Sequence, residues 1–435
     1  MSFLASFAQV ALALPPSYTT GQEALAAGRV NDATRYFSEC LTADPQAVEC
    51  AWELGWARWK GTDWDGVTTA WRKVQALQPG HPEVGKYLPL AEAQASAIAA
   101  ARTALAQAPA PRPAPSGSVR IRAVGDIMMG TDFPAGCLPP DGGAGAFAAV
   151  QGLLSDADLT FGNLEGPLCD SGTTTKCGEG ENCYAFRTPT AYGKWLDTAG
   201  FDLGSTANNH AEDFGLTCRL ETEATLDALG IAWSGRPGTV ATVERNGLKI
   251  GMIGFHTNPN SHFVNDLESA AVLVGAVARA HDLVIVSFHG GAEGRNATHV
   301  KAGTEMFLGE DRGDLRKFAR TVIGAGADLV LGHGPHVPRA LEVVDGHLVA
   351  YSLGNFSTYG RFNLSGDLAT SLVLEVTLDA TGAFTGGKIL PVHQAGAGIP
   401  EPDPTGRAIA LVRELTAADF PTTGAHIAAD GTITR

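Results

Sequence analysis

The chain has 435 residues with 44% hydrophobic and 18% charged side chains and a formal net charge of −15. That length and composition exclude a disordered protein and leave room for more than one domain around a sizeable core. The acidic balance, without any basic block or basic helix face, excludes a nucleic-acid backbone as partner and makes a polyanionic substrate dependent on metal ions or a local arginine cluster.

At the N-terminus, the apolar run Phe3 to Leu14 precedes Pro15-Pro16, and Ala11-Leu12-Ala13 has the small-x-small form of a signal-peptidase site. No Lys or Arg stands ahead of that run, so residues 1–18 read either as a signal segment or as a plain first helix. No later stretch approaches the roughly 20 apolar residues of a membrane span. Residues 19–100 carry Ala, Leu, Trp and charged residues at helix spacing. Gly28-x-x-x-Asp32 and Gly61-x-x-x-Asp65 lie 33 positions apart, and each is followed by a helical stretch that ends at a proline, Asp44-Pro45 and then Gln78-Pro79. The period and the proline placement resemble tetratricopeptide repeats, which implies a small all-α domain whose usual business is protein contact. Trp52, Trp56, Trp59, Trp64 and Trp71 then read as core and inter-repeat packing, with a peptide-binding groove as the alternative.

Residues 101–118 form the expected linker. Its centre, Ala108 to Ser118, has proline at alternate positions and is extended and semi-rigid. Among the cysteines, Cys40 and Cys50 flank a turn between two helical stretches, Cys137 lies in one loop, and Cys169, Cys177 and Cys183 share another. Disulfides suit the helical turn and the three-cysteine loop in an oxidising compartment, while buried unpaired thiols are the alternative. The loop trio matches no zinc-ligand spacing.

Beyond residue 119 the pattern becomes strands alternating with helices. Val119–Val124 leads to Asp126, Leu159–Phe161 to Asn163 and Glu165, Phe201–Ser205 to Asn208, and Ile250–Phe255 to His256. Leu283–Phe288 leads to His289, Asp328–Leu331 to His333, and Leu348–Tyr351 to Asn355. Thr217–Leu229 and Leu315–Ile323 read as helices between them. An α/β sheet gathers its ligands beyond the carboxyl ends of its strands, and that is where these Asp, Glu, Asn and His residues fall. Such residue types are ligands for hard cations and for borderline divalent metals.

The ordered motifs Gly125-Asp126-x-x-x-Gly130, Gly162-Asn163-Leu164-Glu165, Phe186-Arg187-x-Pro189, Asn208-Asn209-His210-x-x-Asp213, His289-x-Gly291-x-Glu293, Gly332-His333-x-Pro335-His336 and Ser352-Leu353-Gly354-Asn355-Phe356 resemble the CapA-type capsule synthesis family, associated with poly-γ-glutamate biosynthesis. The resemblance covers residues 119–435, including a closing helix and strand from Arg407 to Ile427. It implies a metallophosphatase-like αββα four-layer sandwich with one or two divalent ions (Mn, Zn or Fe) at one sheet edge. The metal ligands it implies are Asp126, Glu165, Asn209, His289, His333 and His336. His210 is implied as the acid that protonates a leaving group, and Glu293 as a general base or supporting partner. Arg187, Asn208, Asp213, His256 and Asn355 are expected at the substrate, with Arg295, Arg339 and Arg361 as further cations near the cleft.

Two departures stand out. Asp126 is followed by Ile127-Met128, without the Asp-x-His histidine of the phosphoesterases, so one metal position is either weak or completed by His256. Gly334 replaces a further histidine common in the family. The functional expectation is an exported metal-dependent hydrolase, in the periplasm or at the cell surface, acting on an anionic polymer or phosphoester. The alternative is a non-catalytic assembly factor that binds polymer and recruits a protein partner through its repeats.

Overall fold

The computed structural model describes residues 14–107, 116–176 and 184–435. The expected signal segment up to residue 13, the proline-rich 108–115 of the linker, and Cys177 and Cys183 lie outside the described residues. The chain forms two compact units, Met1–Ala97 and Ile98–Arg435.

In the first unit, α1 (Pro16–Ala26) pairs with α2 (Val30–Ala43), α3 (Val48–Lys60) pairs with α4 (Trp64–Leu77), and α5 (Val84–Ala106) follows, belonging to this unit up to Ala97. Pro16 opens α1, where its missing N–H leaves no bond unmade, and Pro45 and Pro79 follow the ends of α2 and α4. α2 buries Ala33, Phe37 and Cys40, and α4 buries Val67, Ala70, Trp71 and Val74, one stripe on each helix. A Cβ on Gly55 would lie 1.9 Å from Trp71 Nε1. Glycine there lets the buried indole press onto the α3 backbone, where it donates to Trp52 O at 3.2 Å. The Cys40–Cys50 disulfide ties the end of α2 to the start of α3. Residues 101–106, expected in the linker, are the last turns of α5; the alanine-rich text sustains the helix as far as Ala106.

The second unit is a mixed α/β body built on two sheets. The first runs in the order His426–Ile427, Thr432–Thr434, Phe384–Ala395, Thr370–Asp379, Ser118–Met128, Leu159–Leu164, Leu203–Ser205, Ala232–Ser234. Its half from Ser118–Met128 to Ala232–Ser234 is parallel, while the long hairpin Thr370–Ala395 pairs antiparallel. The second runs in the order Leu341–Val344, His347–Ala350, Leu329–His333, Leu283–His289, Leu248–His256, Ala241–Arg245.

Alternating residues of both sheets share one core, with Ile121, Phe161 and Leu374 from the first and Ile250, Ile285 and Leu331 from the second. The outer face of the first sheet is covered by helices Gln151–Ser155, Lys194–Ala199 and Gly215–Leu229 through Leu154, Leu196 and Leu226. On the outer face of the second, Phe318 of helix Leu315–Gly324 packs edge-on against Phe255 and Phe288. The order of layers is helices, sheet, sheet, helices. No helix among the described residues is long and apolar enough to cross a membrane.

Two contacts near the sheet edge give stability predictions. A Cβ on Gly125 would stand 1.9 Å from Gly354 O, at the point where Asp126 N donates to that same oxygen at 2.9 Å. Gly125→Ala is therefore expected to cost about 2 kcal/mol or more through forced separation of the strands, seen as a lower denaturant midpoint at unchanged slope. The second contact is the disulfide between Cys169 and Cys218, both fully buried, which fastens a loop to helix Gly215–Leu229. It gives Cys169 a partner outside the loop trio, because Cys169 turns inward against Phe214 and Ala185. The Cys169→Ala/Cys218→Ala double variant is expected to lose about 2–4 kcal/mol, and a melting temperature equal to that of the parent chain would contradict it.

Candidate metal centre

Strand alternation decides which residues share a face. In the second sheet, Ile250 and Met252, Leu283 and Ile285, and Leu329 and Leu331 point into the core between the sheets. The same parity carries His256, His289 and His333 to that face at their strand ends. The registers His256↔His289 and His333↔His289 place the three imidazoles in one row.

The opposite wall comes from the first sheet. Leu159 and Phe161 point inward, and Asn163 and Glu165 follow with the same parity. Asp126 requires a change of phase, since Ala123 points inward while Val124 and Ile127 both belong to the outer core. Register shifts on both sides of Asp126, in its pairing with Leu159–Leu164 and with Asn355–Thr358, supply that change. A bulge re-aims the side chain into the space between the sheets.

One donor atom each from Asp126, Glu165 and His289 lies within 4.8 Å of the others, and all three residues are buried. Asp126 Oδ1 accepts from Asn163 Nδ2 at 2.8 Å, and Oδ2 stands 3.1 Å from His336 Nδ1. His333 Nδ1 stands 3.5 Å from Asp126 Oδ1. Glu165 Oε1 lies 3.2 Å from His289 Nε2 and 3.8 Å from His336 Nε2. His336 has φ 61°, a strained value for a residue with a side chain. Gly334 before it has no room for the family's extra histidine, since a Cβ there would meet Gly290 O at 2.8 Å.

Several buried polar atoms of this centre lack a hydrogen-bond partner among the described residues: Glu165 Oε2, His289 Nδ1 and both ring nitrogens of His256 and His333; Asn209 Oδ1, next to His210 in the chain, lacks one as well. Unsatisfied buried groups are rare in folded proteins and call for a cause. Carboxylate, amide oxygen and imidazole together form the donor set of a borderline divalent cation, so the residues fit a metal. Burial pushes His289 and His256 well down, which keeps them in the neutral form that ligates metal. Burial and Asp126 push Glu165 well up. Burial opposes the charge of His336, but the Glu165 and Asp126 carboxylates outweigh it and hold the imidazole at about 10. Burial likewise opposes ionisation of Asp126, yet His333 and His336 hold its carboxyl well below the usual range.

Beside this centre, His210 Nδ1 stands 2.6 Å from Asp213 Oδ2. Asp213 is further held by Lys176 Nζ at 2.6 Å and by Phe186 N at 2.7 Å. Phe186 packs against the His210 ring at 4.2 Å, and Phe362 lies 5.4 Å from Phe186 and 5.3 Å from the His336 ring, forming an aromatic lip.

The structure redistributes the residues expected at the substrate. Asn208 and Asp213 are buried braces: Asn208 Nδ2 donates to Leu164 O at 2.9 Å and its Oδ1 accepts from His210 N at 3.1 Å. Asn355 Oδ1 lies 2.9 Å from His336 Nδ1, which orients that ring. His256 belongs to the imidazole row. Arg187 is paired with Asp132 at 2.8 Å and lies over Phe214. Arg339 is fully buried in a two-toothed pair with Glu305 at 2.9 Å, so it supports the fold and faces no cleft. Arg295 reaches Ser365 Oγ at 2.7 Å, and Arg361 lies over the Tyr184 ring at 5.6 Å. Glu293 is ion-paired with Arg312 at 2.9 Å and stands 3.9 Å from His336 Nε2, the position of a supporting partner.

Asn163 and Lys176 are two contributors to which the sequence assigned no role, Asn163 although it was read at a strand end. Asn163 stands within a motif whose Glu165 drew the attention. Lys176 comes from a Thr-rich loop with no periodic signal, and only the chain's path brings it to Asp213.

Comparison with known proteins follows the same stretch of chain. The family model "Bacterial capsule synthesis protein PGA_cap" matches residues 120–359, which hold every residue of the centre. The PGA biosynthesis protein CapA of Bacillus subtilis (strain 168) is 28% identical over 250 residues, covering 54% of this chain and 61% of the relative. The capsule biosynthesis protein CapA of Bacillus anthracis is 27% identical over 259 residues, 54% of this chain and 58% of the relative. A probable polyglutamine synthesis accessory protein of Mycobacterium tuberculosis is 26% identical over 285 residues, 57% of this chain and 68% of its own length. The chain thus spans about three fifths of the two Bacillus relatives.

Proposed function

The chain belongs to the bacterial capsule synthesis protein family PGA_cap, and from that membership we propose that it is a metal-dependent hydrolase of the cell envelope acting on an anionic polymer or a phosphoester. The convergence of Asp126, Glu165 and His289 donor atoms within 4.8 Å, in a space holding further unsatisfied buried ligand atoms, carries this reading. It is the arrangement expected of a metallophosphatase-like centre. Asp126, Glu165, Asn209, His289 and His336 would hold Mn, Zn or Fe, with His256 and His333 flanking them. The first-motif histidine has no substitute at its own position, where Met128 accepts a contact from Gly130 N. When bound, such ions lower the pKa of a water and draw charge from the attacked group.

The protein's own residues supply the remaining steps. Asp213 holds His210 Nδ1 and favours the imidazolium against the opposing effect of burial; in that form the other ring nitrogen would carry the proton given to a leaving oxygen or nitrogen, returning the ring to neutral. Phe186 packs on that ring and shields it from water, with Phe362 stacked on Phe186 in turn. Glu293, balanced by Arg312, keeps the charge near His336 compensated. Export to an oxidising compartment is supported by the Cys40–Cys50 and Cys169–Cys218 disulfides.

The direct test is metal analysis of the purified protein alongside hydrolysis assays on phosphodiesters and on poly-γ-glutamate. About one bound divalent ion or more per chain is expected, with turnover of one of the two substrate classes. Full metal occupancy without turnover of either would overturn the hydrolase reading in favour of polymer binding or assembly.

A further inference from the structure

We propose that the exposed face of α3 in the N-terminal helical unit binds a basic, extended segment of a protein partner. The inference is independent of the hydrolase reading and rests on the side chains of that unit alone.

An α-helix turns about 100° per residue, which places Glu49, Trp52, Glu53, Trp56 and Trp59 on one arc of α3. The opposite arc carries Cys50, Ala51, Leu54, Gly55 and Ala57, all buried. The three indoles on the outer arc are only partly covered. Buried Trp71 supports them from below, with ring centroids 5.3 Å from both Trp52 and Trp59, and Tyr87 of α5 closes one side 4.9 Å from Trp56. His81 lies 4.5 Å from Trp52, and the three rings, fixed by packing, leave only part of their surface open to solvent, with little rotamer freedom left to lose.

Two carboxylates stand among them that form no ion pair among the described residues. Glu53 is half-buried beside the indoles, and Glu49 is exposed one turn earlier. The nearby arginines are engaged elsewhere: Arg29 and Arg35 with Asp32 and Glu39, Arg58 with Asp63 and Gly66 O, and Arg72 with Glu92. Lys86 lies at the edge, 4.9 Å from the Tyr87 ring centroid, a cation on an aromatic face of the same cluster. Aromatic faces and carboxylates on one rigid surface are complementary to Lys or Arg side chains through cation–π attraction and ion pairing. From Glu49 to Trp59 the arc runs about 15 Å, the reach of roughly five residues of extended chain and more than one amine needs.

The test titrates the full chain with a peptide of alternating Lys and Gly, about nine residues long, in about 150 mM salt, reading tryptophan emission and heat. Saturable binding with a change in tryptophan emission is expected. Glu49→Gln/Glu53→Gln should weaken it about tenfold or more, whereas Asp32→Asn/Glu39→Gln, which removes the same charge from exposed sites on α2, should leave it within about twofold. Equal weakening by the two pairs would mean attraction to net charge alone and would overturn the proposal. Absence of saturable binding would also overturn it.

Discussion

Asp126→Asn is expected to empty the centre of metal and lower turnover at least about a thousandfold, which corresponds to roughly 4 kcal/mol of lost transition-state stabilisation. The substitution keeps volume and leaves Asn163 an oxygen to donate to. What it removes is charge. Asp126 is the carboxylate of the centre whose surroundings hold it well below the usual range, while burial and Asp126 itself push Glu165 up. Without that charge, His336 loses one of its two oriented contacts and a cation meets no fixed anion. Elemental analysis reads the metal loss and a thermal melt shows that the fold persists. Unchanged metal content in Asp126→Asn would place the ion elsewhere. Chelation of the parent chain is expected to reproduce the same loss of rate, reversible on adding the metal back.

His210→Gln is expected to give the complementary result, with full metal content and turnover lowered by about 10²–10⁴. The ring sits outside the triad of Asp126, Glu165 and His289, yet Asp213, Lys176 and the Phe186 ring all converge on it. So many fixed contacts to one imidazole suit a proton donor that must not rotate. Metal content and turnover measured on one preparation separate the two roles. A His210→Gln variant that loses metal would make this residue a ligand, and one that turns over at the parent rate would remove it from the chemistry. The effect should also be larger on substrates with poor leaving groups, because those depend most on protonation.

Much of this architecture could be read from local pattern. Each strand that ends in a ligand-type residue was legible, as were helices Gly215–Leu229 and Leu315–Gly324 and the closing helix Arg407–Asp419, since hydrophobic periodicity is a local property of the text. The hairpin Thr370–Ala395 was not. Its first strand, Thr370–Asp379, is buried on both faces up to Leu374 and alternates only from Glu375 onward, and the Asp379 at its end pairs with Ser118, away from the edge where the ligand-type residues gather. The pairing of Cys169 with Cys218 was likewise out of reach, as connectivity over a separation of 49 depends on how a loop folds back on a helix.

The sequence by itself determined that Asp, Glu, Asn and His stand at successive strand ends, and hence that they collect at one edge of an α/β body. Only the tertiary structure decided their roles. A bulge rotates Asp126 toward the histidine row, and Asn208 and Asp213 turn inward as braces. Arg339 is closed into a buried pair with Glu305. The physical reason is one of range: periodicity and motif spacing report which face a residue takes on its own element, while coordination requires atoms from different sheets to meet within a few ångströms. That meeting is set by register, bulges and close backbone contacts such as Gly125 against Gly354, which no single stretch of sequence contains.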